Sequence, residues 1–282
     1  MMKCILCGSS LIKPVCELSN CKVYECANCG LNFVYPLDNI PDSPSSGKFT
    51  IKTDEGYSQN QLNNSDRRKK RYGMIAGKRY NYYALLLKKC EFSLLEIGCG
   101  TAGLAYGFNK CGGGVEYHGI DIDDRMTSKA VRDGIKNIRN IDFFDIDENE
   151  RYDVICASQV LEHITEPVKF ISKIYHHLNE NGIVHIDVPN HSSLAGLGQK
   201  LLRCDKNRYG EIRWPHHLIS YRVPTLDLLL RRYFCDVRVF LANSNDRIWG
   251  QVAFPSTIRK MFLLMSTICG RHSFLVATGT KR

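Results

Sequence analysis

The chain has 282 residues, 44% hydrophobic and 24% charged, with 38 Lys and Arg against 29 Asp and Glu for a net charge of +9. That balance excludes a disordered chain and allows one large domain, with or without an appendage. No apolar run approaches the roughly 20 residues a bilayer span needs, and Met1-Met2-Lys3-Cys4 does not resemble a signal peptide. A cytoplasmic, reducing setting is therefore expected, in which thirteen cysteines speak for thiols and metal rather than disulfides.

Residues 1–35 read as a separate zinc-ribbon-like unit. Cys4-Ile5-Leu6-Cys7-Gly8 and Cys26-Ala27-Asn28-Cys29-Gly30 are two knuckles with eighteen residues between the pairs. Two thiolates from each suit one tetrahedral Zn²⁺, with Cys4, Cys7, Cys26 and Cys29 as ligands. So short a segment cannot fold on its own apolar core, so metal binding is expected to supply much of its folding free energy. Cys16 and Cys21 fit no second site and read as free thiols. Residues 36–64, with Pro36, Pro41, Pro44, Ser45, Ser46 and Gly47, read as a linker. A helix over 65–89 follows, with Tyr72, Ile75, Tyr83, Leu86 and Leu87 as its apolar stripe, expected to lie over the mouth of the site. The basic run Arg67-Arg68-Lys69-Lys70-Arg71 at its head reads as a solvated face; the overall charge suits a nucleic acid or an anionic small substrate.

Next comes Leu94-Leu95-Glu96-Ile97-Gly98-Cys99-Gly100-Thr101-Ala102-Gly103, an apolar strand, an acid, a glycine-rich turn and the start of a helix. Glycine there permits unusual dihedrals and lets a ligand approach bare backbone. Twenty-one residues beyond Gly100, Asp121 ends the run Tyr117-His118-Gly119-Ile120, where an acid can accept both hydroxyls of a ribose. NAD and S-adenosylmethionine both fit so far. Glu96 separates them: it repels a pyrophosphate over the loop and suits an ammonium group.

These residues resemble the class I S-adenosylmethionine-dependent methyltransferases. Leu95-Glu96-Ile97-Gly98-Cys99-Gly100 looks like their first motif and Gly119-Ile120-Asp121-Ile122 like the second. Tyr152-Asp153-Val154-Ile155 with Val160-Leu161-Glu162-His163 is similar to their fourth strand and following loop. Leu178-Asn179-Glu180-Asn181-Gly182 leading to Val188-Pro189-Asn190 matches the turn into the fifth strand. The resemblance covers roughly 75–282 and implies cofactor contacts from Glu96, Gly98, Cys99, Gly100, Asp121, Ile122, Asp145 and Ser158. Ala102 departs from the pattern, in which glycine is common at that position.

Strands are expected near 93–97, 116–121, 140–144, 153–157 and 183–188, with helices between. The helix from Val168 has Thr165 as its cap and ends at Asn181-Gly182. A helix over Pro224–Phe234 and strands over Val237–Ala242 and Phe274–Thr278 complete the chain, the last antiparallel at the sheet edge. The expected fold is α/β: a Rossmann-like, mostly parallel seven-stranded sheet with an antiparallel edge strand, spanning residues 65–282. Ile258–Ile268 reads as a packing helix, with a membrane-surface or partner face over 257–269 as the alternative. Residues 191–223 lack strand character; in the resembling family this stretch caps the acceptor. It holds His191, Arg203, Arg208, Tyr209, Arg213, Trp214, His216, His217 and Tyr221.

Methyl transfer to a hydroxyl needs a base, and imidazole titrates in the useful range. The candidates are His217, His163 and His216. In the related ubiquinone-pathway O-methyltransferases the segment around His163 is implicated in a divalent metal site, with a further acid where this chain has Gln159. Trp214-Pro215-His216-His217-Leu218-Ile219-Ser220-Tyr221 also resembles a segment of zinc-knuckle sugar C-methyltransferases. The expected activity is O-methylation of a small anionic sugar or nucleotide-sugar-like metabolite, in polysaccharide or secondary-metabolite biosynthesis, with Arg208 and Arg213 as phosphate contacts. The alternatives are an rRNA methyltransferase whose zinc unit binds RNA, a sugar C-methyltransferase, and a non-catalytic binding module.

Overall fold

A computed structural model describes residues 2–35, 59, 62–110, 114–202, 206–242 and 264–282. Most of the expected linker, Arg203, most of 257–269 and the side chains of Arg67 to Arg71 lie outside the described residues. Three antiparallel strands open the chain: β1 (Ile12–Glu17), β2 (Lys22–Cys26) and β3 (Asn32–Tyr35). The knuckles sit beside them, and Cys16 and Cys21 are free thiols.

Helix α1 (Ser65–Leu87) is followed by β4 (Phe92–Ile97), α2 (Gly103–Phe108), β5 (Val115–Asp121), α3 (Asp124–Arg132) and β6 (Ile138–Asn140). Then come β7 (Tyr152–Ser158), α4 (Pro167–His177), β8 (Leu178–Pro189) and α5 (Leu194–Leu202). Three two-residue strands follow, β9 (Arg208–Tyr209), β10 (Ile212–Arg213) and β11 (Ile219–Ser220), before α6 (Val223–Leu230), β12 (Cys235–Ala242) and β13 (Phe274–Thr280).

Seven strands form the main sheet in the order β12-β13-β8-β7-β4-β5-β6. The five from β6 to β8 are parallel, while β13 is antiparallel to both its neighbours. This is the expected Rossmann-like α/β fold. Helices cover both faces, so the central strands bury nearly every side chain: Leu94, Leu95, Val154, Ile155, Cys156, Val184 and Ile186 are all 0% exposed. Truncating one such leucine or isoleucine to alanine costs about 2–5 kcal/mol.

Several boundaries differ from the sequence expectation. The last strand is one in from the edge, with β12 outside it. The third parallel strand ends at Asn140, because the Asp142 carboxylate accepts the N–H of Phe144 (2.8 Å) and closes a 3-10 turn over Phe143–Asp145. Helix α4 is preceded by Glu166 rather than capped by Thr165, and Pro167 takes its first turn. It ends at His177, well before Asn181-Gly182. The backbone of 181–182 is claimed instead by the last strand, with Asn181 N–H donating to Lys281 O (3.1 Å) and Lys281 N–H to Gly182 O (2.9 Å). Helix α6 starts a residue early and stops at Leu230, short of the expected Phe234. Among the described residues no helix is long and apolar enough to cross a membrane.

Candidate functional site

Parallel topology brings the carboxyl ends of β4, β5, β7 and β8 to one edge of the sheet. The loop after β4 is pinned there by backbone, since Gly98 and Cys99 both donate to Ile120 O (2.9 and 3.0 Å). Gly98 has φ +69°, and a Cβ at this position would lie 2.6 Å from Val160 Cγ2, so only glycine fits. Ala102 adopts the left-handed conformation too, at φ +52°, a cost of roughly 1–2 kcal/mol for a residue with a Cβ.

Asp121 ends β5. Its Oδ2 accepts from Gly100 N–H (2.8 Å) and its Oδ1 from Asp123 N–H (2.9 Å). Each oxygen keeps a lone pair for a further donor. Burial raises its pKa, and the two amide donors work against that rise. Glu96 is 4% exposed and accepts from the Tyr117 hydroxyl at 2.5 Å. Burial pushes its carboxyl up to about 7. Its carboxylate is thus held by β5, a placement the charge argument from sequence did not foresee. Cys99 is buried, Ile122 and Ser158 half-buried, and Asp145 exposed at the end of its 3-10 turn. The first three, with Glu96, Gly98, Gly100 and Asp121, lie at the carboxyl edge of the sheet, whereas Asp145 stands on the turn beyond β6.

One residue at this edge escaped the sequence reading. Arg79, on α1, donates from Nη2 to Asp187 Oδ2 (2.7 Å) and from both terminal nitrogens to Ser158 Oγ (3.2 Å). Ser158 Oγ donates to Asp187 Oδ2 (2.6 Å) and Gln159 Nε2 to Asp187 Oδ1 (3.1 Å). Burial disfavours the guanidinium charge, but Tyr83 and Asp187 more than offset it and raise its pKa. The available signal was its register: Tyr72, Ala76 and Tyr83 are buried on α1, and Arg79 shares their helical spacing.

A second cluster forms where the 3-10 turn Leu161–His163, after β7, meets the segment following β10. His163 Nδ1 donates to the carbonyl of His216 (2.7 Å), and His217 Nδ1 donates to the carbonyl of Glu211 (3.0 Å). A carbonyl can only accept, so each Nδ1 carries the proton and each neutral ring keeps a lone pair on Nε2. Burial lowers His163 to about 4 and His217 well below the usual histidine range. The rings meet edge to face with centroids 4.8 Å apart. Glu162 is 1% exposed, with Oε1 3.8 Å from His163 Nε2. One ligand atom from each of Glu162, His163 and His217 lies within 4.8 Å of the others. That donor set, with both rings oriented by backbone carbonyls, fits a divalent cation as well as a base. His216 contributes its carbonyl, and Gln159 turns its amide to Asp187. Arg208 and Arg213 sit in the β9–β10 hairpin, Arg208 donating to Gly210 O (3.2 Å) and Arg213 4.0 Å from Glu211.

The four knuckle cysteines also converge. Cys4 and Cys29 sulfurs are 3.6 Å apart, Cys7 and Cys26 3.5 Å, and all four lie within 4.8 Å of one another. Zn–S bonds of about 2.3 Å in a tetrahedron put sulfurs about 3.8 Å apart, so the cluster fits zinc.

A family model described as a methyltransferase domain matches residues 58–236. The ubiquinone biosynthesis O-methyltransferase of Rhodopseudomonas palustris (strain TIE-1) is 30% identical over 102 residues, covering 34% of this chain and 40% of the relative. That of Rickettsia canadensis (strain McKiel) is 28% identical over 111 residues, covering 37% and 46%. The chain therefore spans less than half the length of these curated relatives. Among solved structures, the plantazolicin methyltransferase BpumL in complex with SAH superposes with a TM-score of 0.56 at 19% identity, covering 82% of this chain and 91% of that one. A SAM-dependent methyltransferase from Archaeoglobus fulgidus gives 0.50 at 19% identity, covering 74% and 94%. At such identities the likeness speaks for the fold.

Proposed function

The chain belongs to this methyltransferase-domain family, and on that premise we propose that it uses S-adenosylmethionine to methylate a hydroxyl oxygen of a small anionic sugar or nucleotide-sugar-like acceptor. The observation that carries the reading is the adjacency of two clusters around β7. Arg79, Ser158 and Asp187 stand at its end, and Glu162, His163 and His217 gather on the turn that follows. S-adenosylmethionine, when bound, supplies a methyl group on a sulfonium leaving group. In this reading Asp121 accepts the ribose hydroxyls, the backbone of Gly98 to Gly100 lies against the ligand, and Arg79 meets the carboxylate of its amino-acid end.

On the acceptor side His217 takes the hydroxyl proton at Nε2, while its Nδ1 stays fixed on Glu211 O. Burial keeps the ring neutral but also weakens it as a base, so the transfer leans on the Glu162 carboxylate gathered beside it. The convergence of Glu162, His163 and His217 supports a second form, in which they hold a divalent cation, although Gln159 stands where the ubiquinone-pathway enzymes have a further acid. Such an ion supplies positive charge that lowers the pKa of a bound hydroxyl. Residues 1–35 are read as a zinc-ribbon-like unit, 36–64 as a linker and 65–282 as the catalytic domain, with 191–223 as the acceptor cap. Arg208 and Arg213 in that cap suit an anionic acceptor, because a guanidinium pairs with phosphate through two bonds.

The test is a thermal-shift screen of nucleotide sugars, sugar phosphates, phenols and RNA fragments with S-adenosylhomocysteine present, followed by mass analysis of turnover products. A one-methyl gain on a sugar acceptor is the expected result. Methylation of RNA, with binding that weakens steeply as salt rises, overturns the acceptor class. Cofactor binding without turnover on any acceptor class favours the binding module.

A further inference from the structure

The strand β11 belongs to the same sheet as the N-terminal cysteine unit, in the order β1-β2-β3-β11. Ile219 pairs with Phe33 and Ser220 with Asn32. Next to them, the fully buried Leu218 is bonded on both sides. Its carbonyl accepts from Val34 N–H (3.0 Å) and its own N–H donates to Glu162 O (2.9 Å). One residue thus links the cysteine unit to the turn that carries Glu162 and His163, and its chain neighbour is His217. The same face is held by an ion pair from Arg222 to Glu25 (3.3 Å) and by a bond from Arg232 Nη2 to Leu6 O, within the first knuckle.

We propose that the four-cysteine unit is a metal-dependent clamp on the acceptor side of the site: β3 positions Glu162 and His217 through Leu218 and β11, so that metal at the cysteines governs turnover and leaves cofactor binding alone. The positioning residues are Phe33, Val34 and Leu218. The physical basis is a difference in self-sufficiency. A small three-stranded sheet needs a hydrophobic face or a packing partner to be stable, here supplied by Val23, Phe33 and Val34 packed into the main core, and in so short a unit a bound metal adds folding free energy directly. A two-residue strand such as β11 has little stability of its own and rests on two anchors: β3 on one side, and on the other His191, whose N–H donates to Tyr221 O (2.8 Å) and whose Nδ1 meets Ser220 Oγ (2.8 Å). The cofactor loop after β4, by contrast, is fastened to β5 through Gly98 and Cys99, and among the described residues its backbone bonds do not reach the cysteine unit. The proposal rests on the reading that the Glu162 cluster serves methyl transfer.

The experiment uses the full chain. Metal analysis of wild type is expected to give one zinc equivalent, and Cys26→Ser to lose it. Hydrogen exchange in the variant should then rise in peptides covering 32–35 and 217–221, turnover should fall at least tenfold, and affinity for S-adenosylhomocysteine should stay within twofold. Unchanged exchange at 217–221 in the metal-free protein overturns the clamp, whatever the acceptor proves to be. Because exchange and cofactor affinity need no acceptor, this failure is distinct from a failure to find one. Phe33→Ala tests the path with the cysteines intact: zinc is retained, exchange at 217–221 rises and kcat drops several-fold at unchanged cofactor affinity, with Phe33→Leu restoring both. Wild-type kcat in Phe33→Ala, or a loss that Leu fails to rescue, overturns the role of β3.

Discussion

Arg79 and Asp187 face each other across the mouth of the sheet, Nη2 to Oδ2 at 2.7 Å, with side chains 13% and 10% exposed. The pair ties α1 to the carboxyl end of β8 and makes the helix part of the site. Breaking a buried pair from one side leaves a charge without its counterpart, a cost of about 3–5 kcal/mol. Arg79→Met is expected to lower thermal stability and to weaken S-adenosylhomocysteine about 10- to 100-fold, the range of charge-assisted bonds. Adding Asp187→Asn should recover the stability and not the affinity. Recovery of both in calorimetry would make Arg79 purely structural.

Asp121 carries two kinds of bond, to the loop amides and, in the proposed complex, to ribose. Asp121→Ala should cost about 1–3 kcal/mol of cofactor affinity. Some of that loss is expected to be reorganisation of the loop, because Gly100 N–H loses its acceptor. Calorimetry with S-adenosylhomocysteine measures it. Wild-type affinity in the variant, or tighter binding of NADH, removes the basis for the methyl-donor reading.

The Glu162 cluster offers a test of base against cation. His217→Ala should lower kcat by about 10²–10⁴ with cofactor affinity intact. If a divalent ion is held there, Glu162→Gln and His163→Ala act as strongly as His217→Ala. A chelator that leaves the four-cysteine metal in place then abolishes turnover, and Mg²⁺ or Mn²⁺ restores it. If His217 works alone, chelation that leaves the four-cysteine metal in place has no effect and Glu162→Gln loses far less. Turnover that survives in all three variants would place the chemistry elsewhere.

Stability should depend on pH through histidines buried neutral. Burial holds His185 and His191 down to about 3, against the ordinary imidazole value of about 6.5. Below pH 6.5 the unfolded chain binds protons that the folded chain refuses, so stability falls with pH until about 3 and is fully present above 6.5. The slope is up to about 1.4 kcal/mol per pH unit for each such group. Glu96, raised to about 7, binds a proton in the folded chain over the same range and works the other way, so denaturant unfolding between pH 7 and 4.5 is read as the difference between wild type and variant. His185→Gln, which can still bond the Tyr83 hydroxyl, should flatten it by one group. An unchanged slope would mean that His185 takes up its proton in the folded state.

How much of this was legible depended on how local the determinants were. The glycine turn and Asp121 could be read because both lie on one strand–turn–helix path. The knuckles could be read because each pair needs only a tight turn. Arg79 could not, since its partners are 79 and 108 residues away and nothing near it marks a cation as buried. The cluster of Glu162, His163 and His217 was half legible: the histidines were singled out, but the backbone carbonyls that fix their rings belong to no sequence pattern. Strands β9 to β11 have two residues each, too few for alternation to register. The end of α4 was misjudged because Lys281, a hundred residues on, competes for the backbone of 181–182.

The place of β13 between β8 and β12 bears on how the chain acquires its shape during synthesis. Residues 178–189 emerge long before 274–280, and until the later strand arrives one margin of β8 presents unsatisfied backbone groups. Val184, Ile186 and Val188 stand on one face of the same strand and are fully buried only in the finished fold. For this interval the nascent protein carries a sticky border that a chaperone, or another copy, can occupy. Interruption of translation before Phe274 should therefore yield aggregates rather than a smaller, working enzyme.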